Sequence, residues 1–412
     1  MERSTPVFMP CKTPNRAKAT ATCSRIRAVR PRLRQIPDQM RGRYFTPNAQ
    51  GDSALRSLLN YAPSGRTGSV TVAGHAIAVY GATGHTAQFV RRELERRGCS
   101  IVLIARQPPG EAQRESTQWR RAQCDAPDAL DHALEGASSV INCAGPFADT
   151  APALAEAALR RGIHYLDITA EQRSVRQTLA TYHDEARARG VVIVPAMAFY
   201  GGLADLLATA ACSAMRSVES IEIGVALDYW HPTRGTRSTG ERNTARRLIV
   251  SGGRLEPLPS PAPTGNWSFP EPFGKQPVSS VPLSEIILIS KHIAAARIRS
   301  FMNDAPLGDL GNSQTPPPTA QDASGRSSQR FFVDVVARGD RGAVRIAASG
   351  RDIYAVSAPL VVEACLQILQ HPPRQGGTYA PGEIFDPKSF LGALSSDLKV
   401  TRPSAASVSG IL

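Results

Sequence analysis

The sequence predicts an α/β fold with a doubly wound parallel sheet, a second α+β domain, and a C-terminal helix that returns to the first domain. Strand and helix patterns alternate from about residue 70 to residue 194, which is typical of a parallel sheet with helices on both faces. From about residue 218, apolar runs alternate with loops rich in proline, glycine and serine. The apolar segment 358–370 has the pattern of a buried helix.

These patterns divide the chain into four predicted segments. They are a basic leader without periodicity at residues 1–68, a Rossmann-type nucleotide-binding domain at residues 69–217, an α+β substrate or dimerisation domain at residues 218–355, and the returning helix with a tail at residues 356–412.

The second domain is expected to contain an antiparallel sheet. Its loops are placed at residues 257–282 and 305–328, and the second loop is expected to be disordered, as is the tail beyond residue 398. We predict strands at residues 220–230, 284–290, 330–338 and 342–349, with helices at residues 238–250 and 291–303.

The positive charge of the chain is concentrated at its start. Residues 1–70 hold thirteen Lys and Arg against three acids, so they carry +10 of the total +13 and leave +3 for the rest. The leader can be interpreted as a transit-like peptide, as a nucleic-acid arm, or as an extension upstream of the true start, and we favour the last. We therefore expect no nucleic-acid partner.

The seven cysteines contain no Cys-x-x-Cys pair and no Cys/His cluster at zinc-ligand spacing, so no metal site is predicted. Their odd, scattered arrangement indicates reduced thiols and a cytoplasmic protein. Forty-two Arg against six Lys point to a GC-rich, bacterial genome. The apolar segment 191–215 is interrupted by Pro195, a Gly-Gly pair and Asp205, so it predicts a buried strand, loop and helix instead of a membrane span.

A glycine-rich turn joins the first predicted strand to the first helix. Gly81 allows a sharp turn, Gly84 has no Cβ and lets a pyrophosphate approach the backbone, and small Ala87 lets the helix pack on the sheet. Phosphates then bind the N–H groups at the start of the helix. A purely structural turn is the alternative. The predicted cofactor contacts in this turn are Gly81, Ala82, Thr83, Gly84, His85 and Thr86.

The ends of the second and third predicted strands indicate which dinucleotide binds. Arg106 stands at the end of the second strand, where NAD-binding proteins place an acid on the ribose hydroxyls, and an arginine there suits the 2′-phosphate of NADP. Asp125 at the end of the third strand is predicted to lie at the same cofactor site. The alternative for Arg106 is a solvated surface arginine.

The loop after the fourth predicted strand lies where ligands bind in an open α/β sheet. Asn142, Ala144, Gly145 and Pro146 are predicted to line the nicotinamide ribose, and Phe147 is predicted to contact substrate. An ordinary Gly-Pro turn is the alternative.

The end of the next strand supplies the predicted catalytic residues. Tyr165 and Asp167 lie two residues apart and share a face of the strand, and Glu171 follows as a predicted substrate contact. Capping of the helix that begins near Glu171 is an equally good role for Asp167.

A basic, hydroxyl-rich loop in the second domain, HPTRGTRSTG, suits an acidic or acyl substrate. Arg234, Ser238 and Thr239 are its predicted substrate contacts, and a solvated loop is the alternative.

Four motifs resemble those of the saccharopine dehydrogenase-like oxidoreductases, whose relatives include saccharopine reductases and trans-acting enoyl reductases. The resemblance covers roughly residues 74–395 and departs at Ala87, where the family usually has glycine. It implies an NADP-binding Rossmann domain, a substrate domain and a C-terminal helix that rejoins the first. The motifs are GATGHTA at residues 81–87, INCAGPF at 141–147, HYLDITAEQ at 164–172 and GRDIYAVSAPLVVEA at 350–364.

The predicted function is an NADP-dependent oxidoreductase that transfers hydride to or from a C=N, C=O or activated C=C bond of a small acyl or amino-acid-like molecule. The alternative is a non-catalytic NADP-binding redox sensor or regulatory protein. No tyrosine is followed four residues later by lysine, so the proton donor is another group or the substrate itself. A homodimer remains an option.

Overall fold

The computed structural model of the chain describes residues 75–109 and 117–405. The predicted leader, residues 1–68, lies outside them. The strands in chain order are β1 Ala76–Tyr80, β2 Ser100–Ala105, β3 Thr117–Arg121, β4 Ala137–Asn142, β5 His164–Asp167, β6 Val192–Val194, β7 Val218–Leu227, β8 Leu248–Ser251, β9 Arg254–Pro257, β10 Thr264–Ser268, β11 Lys275–Ser280, β12 Ala295–Asn303, β13 Arg330–Gly339, β14 Gly342–Arg351, β15 Gly377–Thr378, β16 Lys399–Val400 and β17 Ser404–Ala405.

Helices connect most of these strands, and an irregular turn, Phe199–Leu203, follows β6. The helices in chain order are α1 His85–Arg96, α2 Pro127–Ala133, α3 Phe147–Arg161, α4 Gln172–Thr181, α5 His183–Arg189, α6 Ala204–Cys212, α7 Arg234–Arg242, α8 Ser284–His292, α9 Asp304–Gly311, α10 Ser357–Gln370, α11 Pro381–Ile384 and α12 Pro387–Ala393.

The first sheet has the strand order β3-β2-β1-β4-β5-β6-β15, and all of its pairs are parallel. Chain order reverses between β1 and β4, which is the switch point of a Rossmann sheet, where ligands bind. Alternate residues of β1 face opposite layers: Ile77 and Val79 pack in the core with α1 and α10, whereas Ala78 and Tyr80 pack in the core with α2 and α3. The predicted doubly wound parallel sheet is therefore confirmed.

The second sheet has the order β10-β11-β12-β7-β13-β14-β16. It is mixed, since central β7 pairs antiparallel with β13 but parallel with β12. The prediction of an antiparallel sheet is thus wrong at one pair. Parallel pairing requires a crossover, and the chain between β7 and β12 supplies it through α7, the two β-hairpins β8–β9 and β10–β11, and α8.

Two elements of the second half have the opposite secondary structure to the one predicted. Residues 284–290 were expected to form a strand but lie in α8, and residues 291–303, expected to be helical, contain β12. Four consecutive residues of α8, from Ile286 to Ile289, are buried, and an apolar run of this kind has the same appearance in a buried helix and in a buried strand. The predicted helix at residues 238–250 divides between α7 and β8.

Segments predicted as loops also contain regular structure. β10 and β11 lie within residues 257–282, and their pairing continues into β12. Residues 305–328 begin in α9, and Ser327 N donates to Asp352 Oδ2 at 2.7 Å, so this segment is held against the body. Beyond residue 398, β16 and β17 both pair with β14. Hydrogen bonds to residues distant in sequence hold these segments in a defined structure, which cannot be predicted from their composition.

Helix α10 returns to the first sheet, as predicted. It packs on α1 and reaches β4 and β5. Glu363 Oε2 of α10 forms a 2.5 Å ion pair with Nη1 of Arg97 at the end of α1. Cys365 Sγ of α10 lies 3.0 Å from Ser139 Oγ of β4. The exact domain boundaries stay predictions. Among the described residues, no helix combines the length and apolar character needed to cross a membrane.

Candidate functional site

The glycine turn after β1 is packed directly against the loop after β4. Gly81 has a φ of 75°, a left-handed conformation that favours glycine, and a Cβ there would lie 2.7 Å from the Cβ of Ala144. The amides of Gly81 and Ala82 both donate to Ile104 O of β2, at 2.9 and 3.1 Å. The turn is therefore fixed at the β1/β4 switch point, between the predicted first strand and first helix.

The N-terminus of α1 presents uncapped amides at this point. Gly84 is its N-cap residue, no side chain caps the helix, and its first turn contains no acid. The first N–H groups of a helix have no partner within the helix and favour an anion. Nε2 of His85 is likewise buried without a hydrogen-bond partner among the described residues. Open amides and an orphaned ring nitrogen fit a pyrophosphate-bearing dinucleotide.

Arg106 lies just beyond β2 and is exposed, and Asp125 lies beyond β3 and is exposed as well. Both act electrostatically on the Tyr80 hydroxyl, whose pKa is raised chiefly by burial, so the two charges are at the same end of the sheet. Within residues 75–109 and 117–405, neither forms an ion pair. Arg106 is thus available to an anionic ligand, and its contact with the cofactor stays a prediction.

Asn142 at the end of β4 is fully buried and holds the following loop from inside. Its Nδ2 donates to Thr150 Oγ1 at 3.1 Å and to the Tyr165 hydroxyl at 3.3 Å, while its Oδ1 accepts from Ala144 N at 3.0 Å. Asn142 therefore positions the loop, and the exposed Gly145 with half-buried Pro146 forms its outer surface.

The predicted catalytic pair, Tyr165 and Asp167, has an exposed fraction of 0% for each residue. The Tyr165 hydroxyl donates to Asp167 Oδ2 at 2.9 Å, and Asp167 Oδ1 accepts from the amides of Thr169 and Ala196 at 3.0 and 2.8 Å. Burial raises the pKa of Asp167 to about 6, against the lowering effect of these bonds. The catalytic role stays a prediction, but the geometry gives both side chains positioning roles.

Glu171 serves the start of α3. Its Oε1 accepts from Phe147 N at 2.7 Å, and burial raises its pKa although the amides of Phe147 and Ala148 oppose that shift. Glu171 itself is the N-cap residue of α4, and its own amide donates to Thr169 Oγ1 at 3.0 Å. The alternative role of Asp167 as a direct cap of this helix is therefore replaced by a chain of two bonds through Thr169.

Helix α7 of the second half contacts the loop after β4. A Cβ on Gly145 would lie 2.6 Å from Thr239 Oγ1, and Arg242 forms a 2.5 Å ion pair with Asp149 of α3. Thr239 is thus brought to the predicted site, and Ser238 precedes it on the helix. Arg234 is exposed at the other end of α7.

The sequence analysis did not single out Tyr354, which joins α1 to α7. Its ring lies 5.5 Å from the His85 ring, and its hydroxyl accepts from Trp230 Nε1 at 3.0 Å and from Thr233 N at 3.3 Å. Thr233 is the N-cap of α7. Tyr354 lies within the 350–364 motif that carries part of the family resemblance, but the motif does not indicate which residues its side chain contacts.

Comparison with known proteins relates the first sheet to a known cofactor-binding domain. The saccharopine dehydrogenase NADP-binding domain matches residues 77–194, which confirms the predicted cofactor, NADP. A mouse saccharopine dehydrogenase-like oxidoreductase is 28% identical over 152 residues, covering 32% of this chain and 35% of that protein. A protein named as a trans-acting enoyl reductase from Mycobacterium tuberculosis is 31% identical over 143 residues, covering 32% and 33%. The chain thus spans about a third of the length of these relatives.

The fold extends further than the sequence match. Apo saccharopine dehydrogenase (L-Glu forming) from Saccharomyces cerevisiae superposes with a TM-score of 0.58 at 12% identity, covering 81% of this chain and 100% of that chain. At this identity the likeness shows the fold alone. Over residues 77–194 the chain is similar to the saccharopine dehydrogenase NADP-binding domain, and this similarity covers the strands and helices from β1 to β6.

Proposed function

We propose that the chain is an NADP-dependent oxidoreductase that transfers hydride between the nicotinamide and a C=N, C=O or activated C=C bond of a small molecule. The observation that carries this proposal is the uncapped N-terminus of α1 at the β1/β4 switch point, with Gly84 at its start and exposed Arg106 at the neighbouring strand end. The names of two relatives, a saccharopine dehydrogenase-like oxidoreductase and an enoyl reductase, support a reduction of this kind.

In the proposed reaction, residues of this chain bind and orient the NADP cofactor. The amides at the start of α1 bind the pyrophosphate, and Arg106 neutralises the 2′-phosphate. The outer surface of the loop at residues 144–146 supports the nicotinamide ribose. The bound cofactor supplies the hydride, while the protein supplies orientation and electrostatics.

A second set of residues positions that surface. Asn142 and Tyr165 hold the loop after β4, and Glu171 fixes the start of α3. Asp167 ties β5 to the turn at Ala196. We place Tyr165 and Asp167 in the site as positioning residues, with Phe147 in its wall.

Helix α7 contacts the loop after β4 at Gly145 and leaves the loop partly exposed, so the polar residues of α7 are the proposed substrate contacts. Thr239 lies against Gly145, and Ser238 and Arg234 lie on the same helix. Tyr354 lies outside the proposed substrate contacts, because its hydroxyl already accepts from Trp230 Nε1 and Thr233 N and donates to His231 O at 3.4 Å. We assign it to positioning the start of α7, whose N-cap residue is Thr233.

The proposal is tested in two steps with the full chain. Nicotinamide fluorescence titration is expected to show NADPH binding more tightly than NADH. Single-turnover absorbance at 340 nm with a panel of cyclic imines, ketones and enoyl thioesters is expected to fall with at least one class. Tight NADPH binding without any loss of absorbance would favour a non-catalytic sensor, and absence of NADPH binding would overturn the nucleotide site as well.

The cytoplasmic location and bacterial origin belong to the same proposal. They rest on scattered cysteines and on the excess of Arg over Lys. A homodimer formed through the second half is likewise only a proposal. The absence of a nucleic-acid partner is also proposed, and the near-neutral charge beyond residue 70 supports it.

A further inference from the structure

A cleft of about 270 Å³ lies between α4 and the segment that leads from α7 into β8. Four arginines line it: Arg173 and Arg176 come from α4, and Arg246 and Arg247 come from the opposite wall. All four are exposed. The cleft is distinct from the glycine turn and from the loop after β4, and no residue predicted from the sequence lines it.

The floor of this arginine cleft is built by one buried side chain. Gln172 Nε2 donates to the carbonyls of Leu248 and Leu283, both at 2.9 Å, and its Oε1 accepts from Leu248 N at 2.7 Å. All of the principal bonding positions of the amide are therefore used on backbone groups of β8 and the start of α8. These bonds fasten the two walls together, so the spacing of the arginines is set by the fold.

The positive charge in the cleft has little compensation. Among the described residues, none of the four guanidinium groups forms an ion pair with a carboxylate, and Arg246 donates only a 3.4 Å bond to Leu258 O. Glu285 acts electrostatically on Arg247, but its side chain is buried and accepts from Leu283 N. Like charges gathered around one cleft repel each other, and a bound anion with two charges would relieve this repulsion.

The position of the cleft relates it to the proposed reaction. Ala170 and Gln172 line it on either side of Glu171, which binds Phe147 N of the loop after β4. One residue, Glu171, therefore links the wall of the cleft to the start of α3, directly after the loop assigned to the nicotinamide ribose. Its volume is just below the usual range of small-molecule sites, about 300 to 1,000 Å³, which suits one end of a small molecule.

We propose that the arginine cleft binds the dianionic end of a small-molecule substrate, either two carboxylates or one phosphate monoester. Planar guanidinium groups bind both chemistries by paired N–H···O bonds, so the two sources share the same recognition. The inference that this ligand is the substrate rests on the proposed function, whereas binding of a dianion by the cleft does not.

The test is isothermal titration calorimetry on the full chain saturated with NADPH, at one low ionic strength. The probes are glutarate, glycerol 3-phosphate and uncharged glutaramide. The variants are the double substitution Arg176→Gln/Arg246→Gln and the matched control Arg187→Gln, which removes an exposed arginine from α5 outside the cleft. Melting temperature and NADPH affinity of each variant report whether the fold and the cofactor site are intact.

At least one dianion is expected to bind the wild-type protein, and glutaramide is not. The double variant is expected to lose at least tenfold in affinity for that dianion, with NADPH affinity unchanged, and Arg187→Gln is expected to bind it like the wild type. Preference for glutarate or for glycerol 3-phosphate identifies the source of the charge. Equal dianion affinity in the double variant, or no dianion binding at millimolar concentration, would overturn the proposal.

The two failures are distinguishable. If the protein does not bind NADPH, the proposed function fails, and the same dianion titrations on the protein alone still decide whether the cleft binds anions. If NADPH binds and is oxidised by an uncharged substrate at the same rate in the wild type and the double variant, the cleft does not serve the substrate.

Discussion

Gly145 and Thr239 lie so close together that a Cβ atom on the glycine would be 2.6 Å from the threonine Oγ1. One residue belongs to the loop after β4 of the first sheet, and the other belongs to α7 in the second half of the chain. Contact between these parts beside the proposed nicotinamide surface therefore depends on the missing side chain of Gly145. The ion pair between Arg242 of α7 and Asp149 of α3 joins α7 to the helix that directly follows this loop.

We expect Gly145→Ala to displace α7 from the loop and to lower the free energy of unfolding by about 1 to 3 kcal/mol, the usual cost of overpacking. Removing the obstructing hydroxyl in Gly145→Ala/Thr239→Ala should restore most of that loss. Urea unfolding of the wild type, both single variants and the double variant measures the coupling. Additive effects of the two substitutions would contradict the contact.

Arg106→Ala should weaken NADPH and leave NADH nearly unchanged, because only NADPH carries the 2′-phosphate that the guanidinium would bind. A charge-assisted hydrogen bond contributes about 1.5 to 3 kcal/mol, so the expected loss is roughly tenfold to a hundredfold. Nicotinamide fluorescence titration at fixed salt measures it. Arg161→Ala, which removes an exposed arginine at the end of α3, is the control and should change neither affinity. Equal losses for both cofactors in Arg106→Ala would show that Arg106 does not discriminate between them.

The fold of the first half of the chain could be predicted because the sequence patterns that indicate it are local. A strand, a glycine turn, a helix and a second strand follow each other within residues 76–105, and each boundary is marked by glycine or by a change of hydrophobic period. Neighbouring strands are also close in sequence, so pairing follows from chain order. The same holds for the loop at residues 141–147, whose position after a strand end located the candidate site.

The secondary structure of the second half was predicted wrongly for the opposite reason: its signals are not local. The apolar run of α8 is buried on all sides, so its period carries no information about whether it is a helix or a strand. β12 lies between β11 and β7, and its strand character comes from those partners. The side-chain contacts of the site were equally hidden, because the proximity of Tyr354 to His85 and of the four cleft arginines to each other exists only after folding.

Two tyrosines with buried hydroxyls should respond differently to loss of that group. Tyr165→Phe removes one hydrogen bond from Asn142 and leaves the buried Asp167 Oδ2 without its hydroxyl donor, which should cost about 1 to 3 kcal/mol of unfolding free energy. The Tyr200 hydroxyl is buried without a hydrogen-bond partner among the described residues, so Tyr200→Phe should cost less than about 0.5 kcal/mol or stabilise the protein. Urea unfolding measures the free energy of unfolding of both variants, on condition that their m-values equal that of the wild type. Equal losses of unfolding free energy in the two variants would refute the assigned hydrogen bonds.

The burial of Asp167 predicts how stability depends on pH. Its pKa rises from 3.8 to about 6 in the folded chain, chiefly because burial disfavours the charged carboxylate. Between these values the folded state binds more protons than the unfolded state, so the free energy of unfolding should decrease as pH rises from about 4 to about 6 and then level off. At 1.36 kcal/mol per pKa unit, the decrease is on the order of 3 kcal/mol.

Asp167→Asn imitates the protonated carboxyl and should remove most of this slope. A smaller slope of the same sign should remain, because burial also raises the pKa of Glu171. Asp184→Asn, which changes an exposed aspartate at the start of α5, should follow the wild-type profile. The measurement is urea unfolding at half-unit intervals from pH 4 to pH 7. An unchanged slope in Asp167→Asn would contradict the raised pKa of Asp167. A slope that becomes more negative in this variant would mean that the two amide donors and the Tyr165 hydroxyl stabilise the charged carboxylate.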